Sequence, residues 1–310
     1  MNRNLRVGRV LLALVPFLTI SSEVQATLAN RVFVSARSGS DANSCDNILT
    51  PCQTFAGAVL QLNPGGEAVV LDSGGYGPVT ITQSVIIEAP PGVLAFIHPP
   101  SGGDAVTVNA TGATVVLRGL TIDGAGQTTG NGINVVAVSV LHVENCVITG
   151  FAGGLPNGSG IYFGTAGQLF VKETIIRGNA VMGIYVIPSS GTAQASVDHC
   201  RLEQNQWGLA PNGIGGSAQA TIRDSVASGN SFAGLQTMNS GELNAEGCLV
   251  ANNLIGLNST GGVLRASNCT VTDNITGLHT TISGSLVSRS NNTVEGNTPN
   301  GSFTGSYSAK

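Results

Sequence analysis

The sequence predicts an all-β fold, a right-handed parallel β-helix of three-strand coils with a capping helix at its N-terminal end. Three observations carry this reading: a hydrophobic pattern that recurs every 21–28 residues, a slip of the inward face inside each repeat, and a Gly-Ile or Gly-Leu pair near its close. The segment Leu141-His142-Val143-Glu144-Asn145-Cys146-Val147-Ile148, anchored on Cys146, returns with anchors at Leu120, Thr174, Cys200, Ser225, Cys248, Cys269 and Asn292. Two residues past each anchor stands an apolar residue, in a series from Ile122, Ile148 and Ile176 to Val294. Three before it stand Leu117, Val143, Val171, Val197, Ile222, Ala245 and Ala266, until Arg289 breaks the series. Five before it the series runs from Val115, Leu141 and Leu169 to Leu264 and Val287.

Alternation with a period of two marks a strand with one buried face. The alternation slips by one residue just before each anchor, so a tight turn joins two strands there. A second turn follows, and the Gly-Ile and Gly-Leu pairs, from Gly132-Ile133 to Gly277-Leu278, open a third strand. Three short strands without a helical segment make one coil, and residues 68–297 hold about 8–10 of them. Equivalent residues then stack in ladders at about 4.8 Å.

The ends read differently. Residues 1–29 have the form of a signal peptide: Arg3, Arg6 and Arg9 precede the apolar run Val10–Ile20, and small-residue sites place cleavage after Ala26 or Ala29. That run is too short to span a bilayer, so the mature chain is expected to have no membrane span and to be secreted or periplasmic. Residues 30–67 read as a leading loop and the capping helix. The helix is expected over Thr54–Leu62, with Phe55, Ala56, Val59, Leu60 and Leu62 on its packed side, plugging an end that would otherwise expose core and strand edges. Residues 298–310 form a polar tail that covers the last coil.

Charged residues are 10% of the chain and the formal charge is −4, which leaves no basic stripe for nucleic acid or an anionic membrane surface. Asn179, Asn205, Asn230, Asn253, Asn274 and Asn297 recur five residues past the anchors and read as a structural ladder at a turn. Arg118, Glu144, Lys172, Asp198, Arg223 and Glu246, two before the anchors, alternate in sign and read as a rim of weak ion pairs. Cys45 and Cys52 flank a polar loop and are expected to form a loop-closing disulfide. Cys146, Cys200 and Cys248 succeed one another two coils apart, about 9.6 Å, beyond disulfide reach. Cys248 and Cys269 stand one coil apart, as a bond or as a buried thiol pair. No cofactor and no metal site is expected, since no Cys/His spacing suits zinc.

Several segments carry a family resemblance: Arg31-Val32-Phe33-Val34-Ser35, Gly39-Ser40-Asp41, Thr50-Pro51-Cys52-Gln53-Thr54-Phe55 and Leu71-Asp72-Ser73-Gly74-Gly75-Tyr76-Gly77. With the coils behind them, these resemble the pectin lyase-like superfamily, and within it secreted bacterial β-helix repeat proteins. The resemblance implies a fold whose members with known roles mostly cleave, epimerise or bind acidic polysaccharides. Their Asn-Thr-Asp, Gly-His-Gly and Asp-Pro-His-Asp signatures are absent from this sequence. Asp198-His199 is similar to an Asp-His segment of pectin-acting lyases, but it occupies an ordinary turn position.

The face on which family members bind sugar chains corresponds to the outward positions after the Gly-Ile pairs: Asn134, Tyr162, Tyr185, Ala210, Gln236, Asn258 and His279. That row is polar and aromatic, and Tyr162, Tyr185, Trp207, Gln236, Asn258 and His279 are the candidate glycan-binding residues. Trp207 has a competing role in packing against its neighbours. Two functions follow: a secreted, non-catalytic solenoid, structural or binding an extracellular or cell-surface polysaccharide, and a polysaccharide lyase or epimerase, less readily a hydrolase.

Overall fold

The computed structural model describes residues 28–100, 102–126 and 130–308; the expected signal peptide lies outside these residues up to its last two positions. The chain winds into about nine turns. Three parallel sheets result: sheet A with twelve strands, from Ala29–Val34 to Gly305–Ser306; sheet B with ten, from Gly74–Gly75 to Thr293–Glu295; and sheet C with nine, from Val79–Ile81 to Thr276–Thr280. Register follows the repeat: Leu141 lies between Val115 and Leu169, Ile148 between Ile122 and Ile176, and Ile161 between Ile133 and Ile184. These inward residues are fully buried and form one continuous core.

The corners explain the slip in the pattern. Between sheets A and B the chain turns at one left-handed residue, Gly119, Asn145, Glu173, His199, Asp224, Gly247 or Asn268 in successive coils, with φ of 47–71°. A second left-handed corner leaves sheet B and is followed by the asparagine ladder. From Asn205 onward each Asn Oδ1 accepts from the backbone N–H and the side-chain amide of the Asn one coil before, as Asn230 accepts from Asn205 at 3.1 and 3.4 Å and Asn253 from Asn230 at 2.9 Å for both; the first rung, Asn179, accepts from the Phe151 N–H. The amides from Asn205 to Asn297 also reach a carbonyl of the preceding coil. Buried polar groups are thereby satisfied along the stack, which a turn inside a β-helix requires.

The glycine of each Gly-Ile pair is set by close approach. A Cβ on Gly183 would stand 2.5 Å from the carbonyl oxygen of Gly208, its equivalent in the next coil. Only glycine admits that spacing, and the strand of sheet C starts there.

Four details differ from the sequence reading. The helix is shorter, Phe55–Leu60, and buries Phe55, Gly57, Ala58 and Val59, while Ala56 and Leu60 face out, Leu60 at 76% exposure. Its N-cap Thr54 accepts from Gly57 N–H and is itself held by Asp41 at 2.7 Å. Strand pairing begins before residue 68, because Leu62–Val70 is a strand and Ala29–Val34 pairs with it. In the last coil the inward residues are Leu286 and Ser288 in place of Val287 and Arg289. The left-handed corner is Ser290, and the extra residue Asn291 takes up the difference before Asn292. The tail does more than cover that coil: Gly305–Ser306 extends sheet A, and the carbonyls of Pro299 and Asn300 accept from Gly277 and Leu278 at the open edge of sheet C.

Near the N-terminal end Cys45 and Cys52 are joined by a disulfide, with Cα atoms 5.1 Å apart. Behind it Asp72 accepts from Ser35 Oγ at 2.6 Å, Ala36 N–H at 2.9 Å and Tyr76 Oη at 2.5 Å. Burial opposes the charge on Asp72, but these bonds outweigh it and hold the carboxyl below its ordinary range. Cys146, Cys200, Cys248 and Cys269 are free and buried at the inward corner of sheet B. Burial pushes the Cys146 thiol up to about 12 and the Cys200 thiol up to about 11.

Candidate functional site

Sheet C presents the candidate row. Asn134 pairs in register with Tyr162, Tyr162 with Tyr185, Tyr185 with Ala210, Gln236 with Asn258, and Asn258 with His279. All point away from the core, yet the middle of the row is covered. Tyr185 is 5% exposed, Gln236 3% and Asn258 1%. The cause is lateral packing that a single coil does not reveal. Tyr185, Ala210, Val181 and Met182 form a second apolar cluster outside the barrel, with Tyr162, Trp207, Ile187 and Met238 packed around it. Trp207 leans on Phe232 with ring centroids 5.2 Å apart, and the Tyr162 and Tyr185 rings meet edge-to-face at 5.9 Å.

The polar atoms of the row are bonded to one another. Gln236 Oε1 accepts from Trp207 Nε1 at 3.0 Å and from the Asn258 amide at 2.8 Å. Asn258 Oδ1 in turn lies 2.9 Å from His279 Nδ1, and the Asn212 amide donates to Tyr185 Oη at 2.7 Å. At the other end the Asn134 amide donates to Asp104 at 2.7 Å, and Asp104 also accepts from the Asn131 backbone. Burial raises both the Tyr162 and Tyr185 phenols above the usual range, so they stay neutral. Tyr162 and Trp207 keep partial exposure, and His279 is exposed.

The charged rim breaks into two separate clusters, a triad and a pair. Arg118 bridges Glu88 and Glu144 at 2.9 Å each, and Arg223 grips Asp198 at 2.9 and 3.1 Å. Lys172 between them reaches only Glu173, next in sequence, at 3.6 Å. Asp198, His199 and Asp224 bring one ligand atom each within 4.8 Å of one another, the one such grouping among the described residues. Arg223 and His199 both bond Asp198 and hold its carboxyl below the usual range, so its lone pairs are already engaged by cation and imidazole. His199 and Asp224 are exposed corner residues. A metal would have to displace Arg223 from that carboxylate, and the trio is a poor cage.

The sequence reading passed over the outward face of sheet A. A trough of about 390 Å³ lies there, bounded by Gln168, Gln194, Gln219 and Glu242 along one side and floored by Phe170, Ser196, Thr221 and Asn244. A separate depression of about 460 Å³ lies beside the helix, between Leu60 and Thr80.

Comparison with known proteins bears on the fold. The model of the right handed beta helix region matches residues 54–214 and 159–309. No curated protein sequence matches the chain. Among solved structures, pectate lyase Pel9A superposes with a TM-score of 0.56 at 14% identity, over 87% of this chain and 80% of that one. The A-module of mannuronan C-5 epimerase AlgE4 from Azotobacter vinelandii gives 0.47 at 12%, over 79% and 91%. The GH136 lacto-N-biosidase from Eubacterium ramulus gives 0.45 at 10%, over 90% and 67%. At 14% identity the likeness to pectate lyase Pel9A is one of fold. No helix among the described residues is long and apolar enough to cross a membrane.

Proposed function

The chain belongs to the right-handed β-helix family, and from that premise we propose that it is an exported, non-catalytic solenoid that holds a polysaccharide strand against sheet C. The observation that carries this reading is the closed hydrogen bonding of the outward row, from Trp207 through Gln236 and Asn258 to His279. Acid/base cleavage of a glycosidic bond generally uses two carboxylates about 5–9.5 Å apart. This row offers amides, phenols, an indole and an imidazole, and the carboxylate that bonds to it, Asp104, is engaged by Asn131 and Asn134. Groups locked to one another make a rigid neutral surface, which costs little ordering when a sugar chain settles on it. Tyr162 and Trp207 supply the accessible ring faces, with Tyr185 packed behind them as support.

A polysaccharide panel tests the reading by recording bound fraction and product release together. Binding with no new reducing ends and no unsaturated products is the expected result. Tyr162→Ala should lower the affinity about tenfold, the worth of one aromatic contact. Sustained product release by the purified protein would overturn the reading in favour of a lyase or hydrolase, and a changed uronate composition of the recovered polymer would overturn it in favour of an epimerase.

A further inference from the structure

The outward face of sheet A carries three residue rows in register. Gln168, Gln194, Gln219 and Glu242 form one; His142, Phe170, Ser196, Thr221 and Asn244 the next; Glu144, Lys172, Asp198, Arg223 and Glu246 the third. Side chains on either flank are long, whereas the middle row shrinks to Ser196 and Thr221 after Phe170. A long-short-long profile repeated over stacked strands makes a channel along the solenoid axis. The central trough of about 390 Å³ continues at one end into a hollow of about 220 Å³ that shares Phe170 and Ser196. At the other end it continues into one of about 170 Å³ that shares Thr221 and Asn244 and is closed by Tyr307. From His142 to Asn244 the channel spans roughly 20 Å, at about 4.8 Å per coil.

Its chemistry is amide, hydroxyl and aromatic. The glutamines form an open ladder, Gln168 to Gln194 at 3.5 Å and Gln194 to Gln219 at 3.3 Å, long contacts that leave donors and acceptors facing the channel. Phe170 is 37% exposed and stacks on His142 at 5.0 Å and 14°, which presents a flat ring at the head of the floor. Most flanking charges are matched locally, Asp198 by Arg223, Glu144 by Arg118, Glu242 by Arg265 at 3.0 Å and Lys172 by Glu173, and Glu246 at the far end adds a negative charge.

We propose that this channel is a second binding site, for an extended neutral polyhydroxylated chain lying along the solenoid axis. One ring of that chain stacks on Phe170 and its hydroxyls exchange hydrogen bonds with the glutamine ladder, Ser196, Thr221 and Asn244. The balanced charge selects against a polyanion, which would find no uncompensated row of cations. The site rests on residues of sheet A and on Tyr307 of the tail, and is independent of the sheet C reading.

A soluble neutral β-glucan oligosaccharide long enough to span the channel is the probe, titrated calorimetrically into the intact protein. Phe170→Ala should weaken binding about tenfold and Gln194→Ala about threefold, while Tyr162→Ala on sheet C leaves this affinity unchanged. Binding should change less than about twofold across a salt series, since no ion pair forms with the chain. Both sheet A variants sit outside the core, so an unchanged melting curve shows that they fold. Failure of the parent to bind the probe, or parental affinity in folded Phe170→Ala, would overturn the channel. Panel binding that depends on Tyr162 would then still support the sheet C reading. Stronger binding of an anionic chain, lost with salt, would overturn the neutral assignment.

Discussion

Sheets A and C are built by the same repeat, yet their outer faces differ. On sheet C the outward residues bond and pack against one another until Gln236 and Asn258 are buried. On sheet A the equivalent residues stand apart, bounded by long neighbours, and leave a channel. Stacking alone does not decide whether a solenoid face is closed or open. What decides is whether side chains at neighbouring rows are matched in length and in donor and acceptor. Trp207, Phe232 and Met238 supply that match on sheet C; Ser196 and Thr221 withhold it on sheet A.

The largest effect expected strikes both faces at once. Ile176→Asp or Leu202→Asp places a charge in the dry stack beneath them, at a cost of several kcal/mol. Loss of soluble protein and of a cooperative melt is the outcome; normal yield of both variants would mean that the coils are out of register. Next comes the contrast itself. Gln236→Ala leaves Trp207 Nε1 and the Asn258 amide without a partner and should destabilise by about 1–3 kcal/mol. Gln194→Ala, in the open ladder, should stay within about 0.5 kcal/mol. Equal melting shifts for the two would erase the distinction between the faces.

A second closed site extends the comparison to the N-terminal end. Asp72 has a folded pKa held below its unfolded value, so its contribution to stability is present above about pH 4 and is lost as pH falls through the folded value. Melting temperature followed from pH 6 downward should fall in the parent, and Asp72→Asn should start lower and flatten that limb. The smallest effect concerns the thiols. Alkylation of native protein near pH 8 should leave Cys146 and Cys200 unmodified, because burial keeps both protonated and out of reach; both should react on unfolding.

Most of the coil was legible because its signal is local. Inward residues repeat at fixed offsets, and Cys146, Cys200 and Cys248 share one position because a small apolar group suits the inner corner. The last coil misled at Val287, since one extra corner residue, Asn291, shifts the face by a single step. Arg289 in an apolar series was the available sign of it. The helix misled at Ala56 and Leu60, where apolar residues face out of a six-residue segment. Positions on sheet C were legible and their burial was not, because Trp207 and Phe232 meet across coils. The sheet A channel was written in the runs Gln168-Leu169-Phe170, Gln194-Ala195-Ser196 and Gln219-Ala220-Thr221, but it emerges only once register sets them side by side.

The asparagine ladder has a consequence for how such a chain changes length. From Asn205 to Asn297 each Asn donates the same two bonds to the Oδ1 ahead and accepts the same two from the Asn behind, and Asn300 supplies the final Oδ1 to Asn297. One turn is therefore a cassette with identical connectors at both ends, and duplicating or deleting a whole turn leaves no donor stranded. A partial turn would break the count. The tail, with Asn300 and the Gly305–Ser306 strand, continues the pairing of the last described turn, and the sheet A channel can lengthen or shorten only in steps of about 4.8 Å.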